Sequence, residues 1–206
     1  MKKSDYYLVD KTAKEFMPDV VGFTSVSSQF SAVADLTNIV KKISPKIINV
    51  CGGVHPTLYP QCVVENKSLD LIFIGDSEFA FLDFLEKLKN NQSWKDCDNV
   101  AYNDNGKLKK NKLKPLLNNQ ELELLPHPDR SGSAFADTLQ YTMMAHFHFT
   151  RGCPFTCTYC SNIGLAKVYG STRYNIRQAS PEYAIQEMEE TIKKHPTIGP
   201  VYKVFI

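Results

Sequence analysis

Apolar residues along this chain switch repeatedly between a helical period and short continuous runs, and the switching predicts an α/β fold. Leu8, Val9, Ala13 and Phe16 fall at helical spacing, predicting a helix capped by Ser4 and running to about Met17, where Pro18 stops it. Val20–Thr24 is a short apolar run that reads as a buried strand. Val33, Leu36, Ile39, Val40 and Ile43 then mark one face of a helix over 32–43. The cycle recurs with a strand at Ile47–Cys51 entering Gly52-Gly53, a short helix near 61–66, a strand at 71–74 and a helix over 79–88. Apolar strands separated by helices predict a parallel sheet covered on both faces.

Beyond residue 98 the pattern changes. Val100 to Leu108 predicts a hairpin turning at Asn105-Gly106, with Lys107, Lys109, Lys110, Lys112 and Lys114 on it as a solvated cluster. Leu122 to Arg130 carries two prolines, which stiffen a connector without helix or sheet. In Met144 to Phe149, His146 and His148 alternate with apolar residues as strand side chains do. Ser180-Pro181-Glu182 predicts a capped helix through about His195, with Ile185, Met188 and Ile192 as its buried face. A strand is expected from Val201 to Ile206. These signals divide the chain into 1–98, a hairpin and linker over 99–140, and a second region over 141–206.

Composition narrows the function classes. With 206 residues and 43% hydrophobic content the chain can bury one or two ordinary cores. A formal charge of +2 gives no reason to expect nucleic acid or an anionic membrane as a partner. No apolar run approaches the roughly 20 residues that span a bilayer. The absence of a signal peptide, with only six cysteines, suits a reducing cytosol.

Three of those cysteines carry the chemistry. Cys153, Cys157 and Cys160 form a CxxxCxxC pattern within Thr150 to Ser161. Thiolates are ligands suited to iron–sulfur clusters, and an electron-transfer cluster takes four of them; three, with no fourth in the loop, leave one iron open. The competing reading is structural zinc, which closes with four ligands and would have to import one. His146 and His148 lie close enough in sequence, but strand histidines are more often packed or solvated. A disulfide suits a reducing compartment poorly. Cys51, Cys62 and Cys97 are scattered singly and read as small buried hydrophobes.

With Tyr159 before the last cysteine, the loop resembles that of the radical S-adenosylmethionine (SAM) superfamily. The resemblance implies that a 4Fe-4S cluster on Cys153, Cys157 and Cys160 binds SAM at its open iron and cleaves it to a 5′-deoxyadenosyl radical. Tyr159 would face the SAM adenine. Thr24 to Ser27, Gly52 to Thr57 and Gly75 to Glu78 resemble the loops of the cobalamin-binding domain that precedes many radical SAM domains. This implies cobalamin contacts from Ser25, Ser27, Gly52, Gly53, His55 and Glu78, with His55 structural or near the nucleotide tail rather than on cobalt. Leu122 to Arg130 resembles the LPxP connector of the same family. Arg173, Arg177 and Ser180 to Glu182 resemble its RxRSPE segment, with Ala179 in place of the second Arg; a place near SAM or the cluster and plain surface solvation are both open for the two arginines.

The implied fold is a partial flavodoxin-like sheet of the cobalamin-binding type, followed by the first one to two β/α units of a radical SAM partial TIM barrel. The family pattern continues at both ends, so the chain is expected to be the N-terminal part of a cobalamin-type radical SAM enzyme, inactive by itself. Methyl transfer, cyclisation or rearrangement of an unidentified small molecule or peptide is implied, with flavodoxin or ferredoxin as electron donor. The alternatives are a non-catalytic cluster- or cobalamin-binding remnant, or a zinc-stabilised structural protein.

Overall fold

Successive side chains of each strand point to opposite faces of a sheet, and here they feed two separate apolar layers. The computed structural model describes residues 5–131, 145–195 and 203–205, which leaves Ser4, residues 132–140 of the linker, Met144, and Val201, Tyr202 and Ile206 of the last expected strand outside the described residues. The chain divides into two units, Met1–Leu116 with Lys167–Gly170, and Leu117–Ala166 with Ser171–Ile206.

In the first unit β1 (Val20–Thr24), β2 (Ile48–Gly52) and β3 (Leu71–Phe73) run parallel, in that spatial order. Cys51 and Ile72 point to one face, where Val33 of α2 (Phe30–Ile43) and Cys62 and Val63 of α4 (Cys62–Glu65) cover them. Val50, Leu71 and Phe73 point to the other, against Ala80 and Phe84 of α5 (Glu78–Lys89). α1 (Tyr6–Phe16) lies against α2 and ends at Met17, whose φ of 45° is left-handed and whose N–H bonds the Ala13 carbonyl.

The hairpin departs from its expected place. β4 (Val100–Asp104) and β5 (Lys107–Lys110) do not stand apart as part of a linker: β4 pairs antiparallel with β3 and extends the sheet to five strands. The physical reason is burial, since Val100 and Tyr102 enter one apolar layer and Ala101 the other. The sheet is therefore mixed rather than all parallel. A further helix, α3 (Val54–Leu58), occupies what reads in sequence as a loop.

In the second unit β6 (His146–His148) pairs parallel with β9 (Lys203–Phe205), within the strand expected over 201–206, and β7 (Thr150–Cys153) pairs antiparallel with β8 (Tyr174–Gln178). His146 and His148 are exposed around buried Phe147. The connector begins helically, as α6 (Asn119–Glu123), because Asn118 and Glu121 form a reciprocal capping box. α7 is Ser161–Val168, of which Lys167 and Val168 belong to the first unit, and α8 is Pro181–Lys194, capped by Ser180 Oγ accepting from the Tyr183 N–H at 3.3 Å.

The buried face of α8 differs from the expected one. Met188 packs on Phe147, but Ile185 and Ile192 are 51% and 45% exposed, while Glu187 and Thr191 are buried. Arg130 explains the exchange. Its guanidinium meets Glu187 at 2.7 Å and lies 4.7 Å from the Phe147 ring centroid, so the helix turns its polar residues inward to satisfy a buried cation.

Candidate functional site

In an open α/β sheet, ligands bind beyond the carboxyl ends of the parallel strands. The first unit has a cavity of about 310 Å³ there, lined from β1 by Gly22 and Phe23, from β2 by Val50, Gly52 and Gly53, and from β3 and α5 by Phe73, Gly75, Ser77, Glu78 and Phe81. Its wall is thus largely aromatic rings and bare backbone. A Cβ at Gly52 would meet nothing within 4 Å, so this glycine keeps the cavity open. Gly53 acts differently. At φ +95° its added Cβ would sit 2.8 Å from Thr24 Oγ1, so only glycine lets the loops after β1 and β2 touch.

Of the residues singled out in the sequence, Gly52, Gly53 and Glu78 line this cavity. Ser25, Ser27 and His55 form a neighbouring cluster instead. Ser25 is buried, its N–H donating to the Gly52 carbonyl at 3.1 Å and its carbonyl accepting from the His55 N–H at 2.9 Å. The His55 ring stacks on Phe30 with centroids 4.2 Å apart, and its Nδ1 lies 3.0 Å from Ser27 Oγ. Burial holds this imidazole below the ordinary histidine value, against an opposing pull from Glu65. Its Nε2 is buried with no hydrogen-bond partner.

Two residues that the sequence alone does not single out hold the loop after β3. Thr57 Oγ1 donates to the Gly53 carbonyl at 2.8 Å and accepts from the Gly75 N–H at 3.0 Å, joining two cavity loops. Asn99, left-handed at φ 60°, donates from Nδ2 to the carbonyls of Ile74 and Asp76 at 2.9 and 2.7 Å. Thr57 stands within the Gly52 to Thr57 loop, whereas nothing local to Asn99 announces its reach.

In the second unit Cys153 ends β7, Cys157 is exposed and Cys160 is half-buried, its N–H donating to the Cys157 carbonyl at 3.0 Å. Tyr159 is 91% exposed. Among the described residues no three His, Cys, Asp or Glu side chains converge as metal ligands, so the loop carries the donors without gathering them. Their chemistry nevertheless fits an iron–sulfur cluster: all three thiols are free, and none is fully buried. The other three are unsuitable, since burial pushes Cys51 and Cys62 up to about 12 and Cys97 to about 11. Arg173 is exposed, while Arg177 is buried and donates to the Leu117 carbonyl at 3.1 Å, a structural place.

The family comparison bears on the first unit. Residues 6–85 match the family model of the B12 binding domain. The match covers 80 of the 206 residues. The match takes in the three parallel strands and the first two turns of α5, so the cavity above lies within the matched stretch, and the sheet with its flanking helices has an α/β fold. The chain is similar to an uncharacterised methyltransferase of Pyrococcus horikoshii, 28% identical over 157 residues, covering 75% of this chain and 34% of that protein. It is likewise similar to the anaerobic magnesium-protoporphyrin IX monomethyl ester cyclase of Rubrivivax gelatinosus, 28% identical over 186 residues, covering 86% and 32%. Among solved structures, the cobalamin-dependent SAM radical enzyme OxsB with aqua-cobalamin and SAM bound superposes with a TM-score of 0.72 at 20% identity, over 95% of this chain and 26% of that one. The chain spans about a third of the length of the curated relatives it matches. No helix among the described residues is long and apolar enough to cross a membrane.

Proposed function

We propose that this chain supplies the cobalamin- and cluster-binding portion of a radical SAM enzyme. The observation that carries the reading is the pairing, in one chain, of a glycine-walled cavity, in a stretch matching the B12 binding domain, with a CxxxCxxC loop. Cobalamin is large and mostly apolar in its ring, and the cavity offers Phe23, Phe73 and Phe81 beside Gly52, where backbone can approach it. Cys153, Cys157 and Cys160 would hold a 4Fe-4S cluster, leaving one iron open for SAM, with Tyr159 free to offer a ring to the adenine. When bound, the cluster with SAM supplies a 5′-deoxyadenosyl radical, and cobalamin supplies a methyl carrier. The relatives' names span methyl transfer and cyclisation. The overall reaction is therefore radical modification of a small molecule or peptide, fed by a flavodoxin- or ferredoxin-type donor.

The chain's own residues divide the work. Gly52 keeps the cavity open; Gly53 and Thr57 set the distance between the loops; Glu78 contributes a carboxylate to the rim. His55, with Nδ1 3.0 Å from Ser27 Oγ and its ring stacked on Phe30, keeps Nε2 as its uncommitted ring nitrogen, and it is assigned a structural place or a contact to the nucleotide tail rather than cobalt. The test has two arms. Hydroxocobalamin titrated into the protein should give saturable absorbance changes that Gly52→Phe abolishes and His55→Ala does not shift to a different cobalt ligand. Anaerobic reconstitution with iron and sulfide should give one 4Fe-4S cluster, lost in Cys153→Ala, Cys157→Ala or Cys160→Ala and retained in Cys97→Ala. Stoichiometric tetrahedral zinc in protein purified without oxygen would instead establish the structural-zinc reading.

A further inference from the structure

The loop after β3, Ile74 to Ser77, forms one wall of the cavity, and five of its eight backbone polar groups are held by side chains. The Ile74 and Asp76 carbonyls accept from Asn99 Nδ2, and Ser77 Oγ lies 3.1 Å from the Ile74 and Gly75 carbonyls. The Gly75 N–H donates to Thr57 Oγ1 at 3.0 Å. The next amide, Asp76 N–H, donates at 3.0 Å to Tyr169 Oη.

Tyr169 belongs to the first unit with its neighbour Val168, which packs on that unit's first apolar layer. Its phenol also sets the identity of residue 75. A Cβ built on Gly75 would overlap Tyr169 Oη and lie 2.7 Å from Cζ, in a backbone already left-handed at φ +72°. Glycine at 75 and tyrosine at 169 are therefore complementary: the ring takes the volume a side chain would fill and its hydroxyl satisfies the adjacent amide.

We infer that Tyr169 is a positioning residue for the cobalamin cavity, clamping the Gly75-Asp76 wall from a segment nine residues beyond Cys160 in sequence. The inference rests on the cobalamin reading above. It also gives a reason for the matched stretch to depend on chain well past residue 85, since one of the hydroxyls that fixes its wall is supplied from residue 169.

Four variants of the chain test it, Tyr169→Phe, Gly75→Ala, Tyr169→Ala and the last two combined, with hydroxocobalamin as the probe and hydrogen exchange at the Asp76 amide as an independent readout. Tyr169→Phe keeps the ring and removes the acceptor, so cobalamin should bind about 3- to 10-fold more weakly and the Asp76 amide should exchange at least about 10-fold faster. Gly75→Ala should weaken binding strongly in the parent chain and much less in Tyr169→Ala, because the left-handed backbone strain is common to both backgrounds and the clash is not. Affinity unchanged by Tyr169→Phe, or an equal cost of Gly75→Ala in both backgrounds, overturns the proposal. If the parent chain binds no hydroxocobalamin, it is the cobalamin reading that fails; the exchange rate then decides the clamp alone, and an unchanged rate overturns that too.

Discussion

At the scale of single residues, the six cysteines separate into two chemical populations by environment. Cys51, Cys62 and Cys97 are 0% exposed, and withdrawal from water disfavours their thiolates. Alkylating agents attack thiolates, so brief iodoacetamide treatment of the native, cluster-free chain near pH 8 should modify Cys153, Cys157 and Cys160 and leave the other three intact by mass spectrometry. Substantial native-state labelling of Cys51 would contradict the packing described. The same burial has a sign for stability. Unfolded thiols lose their protons from about pH 8.5, whereas the folded ones keep theirs to about 11 for Cys97 and about 12 for Cys51 and Cys62. Between those limits the native state binds more protons, so this contribution is whole below pH 8.5 and declines as pH rises.

At the scale of elements, α8 shows what periodicity can and cannot reveal. Its length and Ser180 cap were legible, because caps and turns are local. Its inward face was not, because Arg130, the group that draws Glu187 inside, comes from a distant connector. Removing one partner of such a pair leaves a buried charge unmatched, so Arg130→Met or Glu187→Leu should each cost about 3–5 kcal/mol, and the two combined clearly less than the sum. Chemical denaturation of the three variants checks this; additive costs would mean the pair is not coupled. Ile185→Lys, on the outward face, should stay within about 0.5 kcal/mol. α3 was missed for another reason: Pro56 reads as a breaker, yet it stands in the first turn, where a helix N–H has no partner to lose. β2 and β3, by contrast, were plain in sequence, since strands buried on both faces must be continuously apolar.

At the scale of the whole molecule, the cavity's glycines could be read because a doubly wound order fixes where ligands go, while its clamps could not. Asn99 and Tyr169 reach the Gly75 loop from segments whose distance along the chain conceals their closeness in space. The hairpin was legible from Asn105-Gly106, but not its membership of the sheet, which depends on Tyr102 and Val100 finding an apolar layer already built by β2, β3 and α5. That membership makes β5 a border of the sheet, and the border carries Lys107, Lys109 and Lys110. Lys109 curls back to place its ammonium 5.7 Å from the Tyr102 ring centroid, with Lys95 at 5.5 Å. Open strand borders are templates for joining another chain, and a row of like charges is a common guard against it. The guard works through solvent, so its range is set by ions: the screening length falls from about 30 Å at 0.01 M salt to about 3 Å at 1 M. Light scattering should therefore show self-association growing with salt in the parent chain, and already present at low salt when the three lysines become serine. In colloidal terms, the hairpin that completes the sheet also gives the protein its like-charge barrier against coagulation.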